Sequence, residues 1–286
     1  QLTVDLPLQT LFETSTIAEL AELIESKKSN AKQEPIPIES KSKAEAPLSA
    51  AQRRIWYLQS LQPESYTYNM HQVTLLNGCI DEKRLKAAVS QLVESYDILR
   101  TIFIEKGNDL LQIVQPKADE VFRVVDLSDS TASDTESIKE KLAAFGKTEA
   151  MRPFVLDSPP LWSLTYVKLS ENTSGLVLVM HHIISDEWSV DVFWQQLAKA
   201  YSNVSEELPK PETQYADYSR REKDWLKGAD CEKQTDFWSA TLTPEPEKLQ
   251  LGKNPNASSD RIGAQAKKTL NQSIIERLKS LALEEN

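Results

Sequence analysis

From Pro47 onward the large apolar residues switch repeatedly between a two-residue period and a 3.6-residue period. Alternation at two places side chains on opposite faces of a strand, and 3.6 gathers them on one face of a helix, so the pattern demands stacked layers of both. Met70–Gly78 alternates and closes on Asn77-Gly78, which predicts a strand ending in a turn. Asp81–Tyr96 is predicted as an amphipathic helix with Leu85, Ala88, Val89, Leu92 and Val93 inward. Arg100–Gln115 predicts a hairpin turning at Gly107-Asn108. Leu161–Ser170 and Gly175–Met180 predict a second strand pair joined through Glu171–Gly175. Helices are expected over Leu48–Leu61, with Ile55, Leu58 and Leu61 on one side, and over Ser137–Ala150. Another is expected over Ser189–Tyr201, with Val190, Phe193, Leu197 and Tyr201 on one side. Further helices are expected over Tyr215–Leu226, Glu232–Thr241 and Asn271–Asn286, the last preceded by a strand-like Gly263–Leu270. No repeat at solenoid periods is present. The fold class this implies is α/β, in the form of an α+β layered sandwich.

The chain before Pro47 is of another kind. Thr16–Ile24 puts Ile17, Leu20, Ala21 and Ile24 on one helical face, with Thr16 and Glu19 spaced as a capping box. Leu8, Leu11 and Phe12 form a second small apolar face. Two such helices cannot bury a core alone, so residues 1–25 are expected to be the end of a larger domain. Residues 26–46 are rich in Lys, Glu, Ser, Ala and Pro. They cannot bury enough surface to offset their ordering entropy and are expected to be a linker. The opening Gln1–Thr10 lacks a basic stretch followed by an apolar one, and reads as cut from a longer chain rather than as a signal peptide.

Composition narrows the function. The net charge is −10, with no dense run of Lys or Arg, so a phosphate backbone is a poor partner. No apolar run approaches the ~18–20 residues that a membrane helix needs. Cys79 and Cys231 are far apart and fit neither a disulfide framework nor a metal spacing, which points to a reducing, cytoplasmic setting. The seven glycines form no phosphate-binding pattern, and no nucleophile elbow is present.

The chain has three histidines, and two of them, His181 and His182, are adjacent at the end of the apolar strand Gly175–Met180. If the strand continues, they face opposite ways, one towards a cleft and one into the body of the domain. Such a pair serves packing more often than chemistry. His71 is distant in sequence, and no Cys/His/Asp cluster has ligand spacing, so no metal site is expected. Asp186 follows four residues after His182. It can fix a histidine tautomer or hold the loop through an arginine, or it can cap the next helix, as Ser185 and Ser189 also can.

Several segments together carry a resemblance. His181–Ser189 (HHIISDEWS) resembles the HHxxxDGxS signature of nonribosomal peptide synthetase condensation domains. Leu48–Met70 resembles the family's opening S-x-A-Q-x-R-x-W motif with its later Pro and Tyr-Asn pair. Glu94–Phe103 resembles R-H-E-x-L-R-T-x-F. Met151–Leu169 resembles the segment before the histidines, and Tyr215–Leu226 the Y-x-D-Y-x-x-W motif after them. The motifs come in the family's order. Leu6–Ile24 is similar to the last two helices of a peptidyl carrier domain, whose phosphopantetheine-bearing serine is not in this chain.

The resemblance implies a chloramphenicol-acetyltransferase-like lobe over residues 47–286, preceded by a helical carrier remnant over 1–25 and the linker 26–46. It implies an acyltransferase that joins a carrier-bound acyl or peptidyl thioester to the amine of an aminoacyl thioester on the next carrier. His182 matches the catalytic histidine, His181 a structural one, and Asp186 an aspartate in a structural salt bridge. Ser189 and Arg100 match supporting positions. No cofactor is implied for the lobe itself; 4'-phosphopantetheine belongs to the partner carriers. Implied partners are upstream and downstream carrier domains, an adenylation domain and the C-terminal lobe of the same domain, without which the fragment is expected to be inactive. His182 suits proton transfer, amine positioning or stabilisation of a tetrahedral intermediate.

Two departures from the pattern stand out. Glu187 occupies the place of the signature glycine, and Ser95 and Tyr96 replace the first Arg and His of the second motif. If that arginine pairs with the aspartate elsewhere in the family, Asp186 needs another partner. A degenerate, non-catalytic gating module is the alternative these departures allow.

Overall fold

The computed structural model describes residues 16, 21–22, 44–78, 80–118, 121–128, 135–203, 206–247 and 268–284. Nearly all of the expected carrier helices and of the linker, Cys79 and most of the strand-like Gly263–Leu270 lie outside these; Lys268–Leu270 form no strand. The chain divides into two units, through Thr235 and from Asp236.

The first unit opens with β1 (Glu45–Pro47), α1 (Ala50–Leu61), β2 (Asn69–Asn77) and α2 (Glu82–Ser95). A 3-10 turn (Asp97–Arg100) leads to β3 (Thr101–Lys106), β4 (Asp109–Val114), β5 (Phe122–Asp126) and α3 (Thr135–Ala150). β6 (Trp162–Lys168), β7 (Thr173–His181), α4 (Glu187–Ser202) and α5 (Tyr215–Trp225) follow. The boundary between units falls within α6 (Ala229–Thr241), and the second unit also holds α7 (Gln272–Glu284).

Four strands form the main sheet in the order β2-β7-β6-β5, antiparallel except for the parallel β5–β6 pair. Its two faces are both covered. Leu176, Leu178 and Met180 of β7 join a core with Leu85, Val89 and Leu92 of α2 and Phe193 and Leu197 of α4. Val177 and Val179, pointing the other way, pack with Leu142 and Phe145 of α3. Two glycines allow α3 to come this close: a Cβ on Gly146 would lie 2.4 Å from Val73 Cγ2, and one on Gly175 would lie 2.6 Å from Leu142.

A second, three-stranded sheet runs β1-β4-β3. Its hairpin turns at Gly107, whose φ of 66° suits glycine. The linker expected over 26–46 is one place where the structure differs. Glu45 and Ala46 already belong to β1, paired with Ile113 and Gln112 of β4. Backbone pairing on a sheet edge needs no large side chain, so composition conceals it. Strand β5, which binds its neighbour in parallel, has no hairpin signal in the sequence.

Helix α1 differs in its face. Leu58 and Leu61 are exposed, at 38% and 63%, while Gln52 and Gln59 are buried. Gln59 Nε2 donates to the carbonyls of Pro63 and Ser65 at 3.0 and 2.9 Å, and Gln52 enters a polar network described below. Saturated hydrogen bonds make the glutamine face the inner one.

Candidate active site

Strand β7 delivers the two histidines as its pleat requires. His181 shares the parity of Val177 and Val179 and is fully buried, with its ring edge-on to Phe154 at 6.3 Å. Its Nδ1 accepts from the Ile183 amide at 3.1 Å, so the ring is neutral. Burial, with a smaller contribution from His182, lowers its pKa from 6.5 to about 4. This histidine braces the loop and is neutral near pH 7.

His182 falls on the α2/α4 side and is exposed to a cavity. Its amide donates to the Tyr68 carbonyl at 2.8 Å, extending the β2–β7 ladder by one residue. Its Nδ1 lies 2.6 Å from the Ser185 carbonyl oxygen. A carbonyl only accepts, so Nδ1 carries a hydrogen, and in the neutral ring Nε2 is the nitrogen with the lone pair. The ring is thereby oriented with its basic nitrogen unencumbered.

The cavity has a volume of about 690 Å³. Its walls come from α1, the end of α2 and the 3-10 turn, the 183–185 loop and the first turns of α4, with Tyr215 of α5 at one side. Trp188, 77% exposed, also lines it.

Asp186 is the N-cap of α4. Its carboxylate accepts from the Ser189 amide at 2.8 Å and from the Ser189 hydroxyl. Those bonds, the hydroxyl first, hold its pKa below the usual carboxylate range against desolvation, and the neighbouring His182 acts in the same direction. Asp186 is thus held by Ser189 rather than by an arginine. Arg100 stands elsewhere: it donates to the Gln115 carbonyl at 2.8 Å and the Val93 carbonyl at 3.2 Å and pairs with Asp97, bracing the base of the β3–β4 hairpin. Ser95 lies buried, its hydroxyl donating to the Leu208 carbonyl at 3.3 Å. Glu187 opens α4 in helical backbone, where glycine offers no advantage, and does not line the cavity.

A buried polar network ties these pieces together. Gln52 Oε1 accepts from the Ser49 amide and from Gln112 Nε2, both at 3.1 Å. Gln52 Nε2 donates to the Ile183 carbonyl in the histidine loop at 3.3 Å. Gln112 Nε2 also reaches Ser219 Oγ at 2.9 Å, and Ser49 Oγ lies 2.9 Å from the Tyr215 hydroxyl. The opening motif, the hairpin and the Tyr215–Leu226 motif therefore converge on the loop that presents His182. Asn69 joins in by donating to the carbonyls of Ala150 and Arg152 at 2.8 and 2.7 Å. Gln52, Tyr215 and Trp188 were not singled out from sequence as site residues, although each sits inside a motif that was. Among the described residues, no group of three or more His, Cys, Asp or Glu could hold a metal.

Comparison with known proteins agrees with this geometry. The condensation-domain family model matches residues 42–286, and the chain belongs to that family. It is 31% identical over 248 residues to tyrocidine synthase 3 of Brevibacillus parabrevis, covering 87% of this chain and 4% of that synthase. It is likewise 31% identical over 255 residues to bacitracin synthase 3 of Bacillus licheniformis, covering 88% of this chain and 4% of the synthase. Among solved structures, the starter condensation domain of rhizomide synthetase superposes with a TM-score of 0.62 at 24% identity, covering 72% of this chain and 49% of that one. The first condensation domain of the calcium-dependent antibiotic synthetase does so with a TM-score of 0.62 at 21% identity, covering 73% and 50%. The chain thus spans a few per cent of the synthases it matches and about half of the solved condensation domains. Those likenesses carry the layered fold expected from sequence.

Proposed function

We propose that this chain is part of a condensation domain that forms an amide bond between a carrier-bound acyl or peptidyl thioester and the amine of an aminoacyl thioester on the next carrier. The observation that carries this is His182, with Nδ1 anchored on the Ser185 carbonyl and Nε2 open to the cavity.

A thioester is already activated, so the site must align an amine with the carbonyl carbon and handle one proton. The amine nitrogen bonds to that carbon, and its proton passes to His182 Nε2. The tetrahedral intermediate then collapses, the carbon–sulfur bond breaks, and the departing thiolate takes the proton back. The Ser185 carbonyl keeps its hydrogen bond throughout and steadies the imidazolium that forms between the two steps. His181, held neutral by burial, adds no competing charge. Asp186 and Ser189 fix the start of α4 beside it.

The reactants imply 4'-phosphopantetheine arms on an upstream and a downstream carrier, with the aminoacyl group supplied by an adenylation domain, in the cytoplasm. The relatives, named as synthases of tyrocidine and bacitracin, support this assignment. The test uses the whole module that contains this chain, with both carriers loaded and the product thioester followed by intact-protein mass spectrometry. His182→Ala is expected to lower the rate about a hundredfold or more, the usual range for a lost general base. Turnover unchanged by that substitution would remove His182 from the chemistry.

A further inference from the structure

The turn that carries His182 is pinned at three points. The Ile183 amide donates to His181 Nδ1 at 3.1 Å, and the Ile184 amide donates to the His181 carbonyl at 3.0 Å. The Ile183 carbonyl accepts from Gln52 Nε2 at 3.3 Å. A peptide unit is planar, so the last two bonds hold the Ile183–Ile184 plane from both sides. Only the torsions of Ile184 and Ser185 then separate that plane from the Ser185 carbonyl, which lies 2.6 Å from His182 Nδ1. Two of the three pins come from His181, next to the turn. The third comes from Gln52 on α1, 131 residues away in sequence.

The capping box of α1 explains only half of Gln52. Its Oε1 accepts from the Ser49 amide, as a residue in the third position of the helix does in such a box. The Ser49 amide can only donate, so it fixes which way the Gln52 amide faces and turns Nε2 towards Ile183. Capping gives no reason for that second bond. Nor does it explain Gln112 on β4, which is 1% exposed and does not line the cavity. Gln112 Nε2 meets the Pro47 carbonyl at 2.8 Å, Ser219 Oγ at 2.9 Å and Gln52 Oε1 at 3.1 Å. An amide that accepts at its oxygen donates more strongly at its nitrogen, so the bond from Gln112 strengthens the bond to Ile183. Apolar side chains of the same size would fill this space without the desolvation cost of two amides, but they would fix no direction.

We infer that Gln52 and Gln112 are positioning residues for His182. Gln112 orients Gln52, Gln52 holds the Ile183 carbonyl, and the turn so fixed presents the Ser185 carbonyl to His182 Nδ1. This rests on the reading of His182 as the proton acceptor. Released from that carbonyl, a neutral imidazole can carry its hydrogen on either nitrogen, and a ring with hydrogen on Nε2 cannot take a proton from the amine there.

The test is a double-mutant cycle in the intact module with both carriers loaded, the product thioester being followed by intact-protein mass spectrometry. Gln112→Met and Gln52→Met keep the length of the side chain and remove its hydrogen bonds. Each is expected to lower the rate about tenfold, within the roughly hundredfold that misplacement of a reacting group can cost. The two together should cost no more than Gln52→Met alone. In a His182→Ala background neither should lower the residual rate further, because no imidazole is left to position. A purely structural role would lower the rate equally in both backgrounds. Urea unfolding establishes that each variant is folded; where Gln112→Met is not, Gln52→Met carries the same comparison with His182→Ala. Wild-type turnover by the methionine variants, or an equal fall with and without His182, overturns the inference and leaves His182 as the acceptor. An undiminished rate in His182→Ala alone instead removes the reading of His182, and the inference with it.

Discussion

His181 offers a quantitative test of how the site is built. Its ring is fully buried, with Nδ1 engaged as an acceptor, and its pKa falls from 6.5 to about 4. A folded-state pKa below the unfolded one means that the unfolded chain binds the proton more readily between those values. Stability from this group is therefore complete above about pH 6.5 and is lost as the pH falls through the window down to about 4. With those two values, linkage gives a loss of ~2 kcal/mol at pH 5 and ~3 kcal/mol at pH 4, relative to pH 8. Other carboxylates titrate in the same range, so the measurement is a difference of slopes. Urea unfolding of wild type and His181→Gln would be followed by tryptophan fluorescence at pH 8, 6 and 5. The glutamine has no proton to gain. Wild type should lose ~2 kcal/mol more than the variant between pH 8 and 5. Parallel slopes, or an imidazole that titrates by NMR near 6.5, would refute the reasoning.

Three further expectations come from particular contacts. Gly146→Val places its first carbon 2.4 Å from Val73 Cγ2, and should destabilise the protein by ~1–3 kcal/mol in denaturant titration. Gln52→Leu removes the acceptor for the Ser49 amide and Gln112 and the donor to Ile183; a loss of ~1–3 kcal/mol is expected, with slower condensation as the His182 loop loosens. Glu187→Gly restores the family's residue, yet the position is an ordinary helical first turn, so the expected result is a small loss of stability, ~1 kcal/mol, and no gain in turnover.

Much of the fold was legible because its elements bury one face each. The stripe Leu85, Ala88, Val89, Leu92, Val93 on α2 is buried as a set, and β7 alternates between the two cores as its residues suggest. The turns at Gly78 and Gly107 fell where positive φ is needed. Reading failed where stability comes from something other than apolar side chains. β1 is held by backbone pairing at an edge, and α1 buries two glutamines whose partners come from distant segments. A helical wheel cannot weigh a hydrogen bond to Gln112, sixty residues away.

The placement of the two histidines was legible, and that of their supports less so. Strand parity alone separated His181 from His182, and the structure places them as parity requires. Asp186 could be read as a cap or as an ion-pair partner, and the choice depends on what sits opposite. With Ser95 buried under Leu208 and Arg100 committed to Asp97 and two carbonyls, Ser189 is what holds it. That changes what the two departures mean. The family's glycine and arginine are missing from positions that, in this chain, do not bear on Nε2 of His182: Glu187 continues a helix away from the cavity, and the aspartate has found a local partner within one turn. Tyr96, in the place of the motif's histidine, is the replacement that lines the cavity.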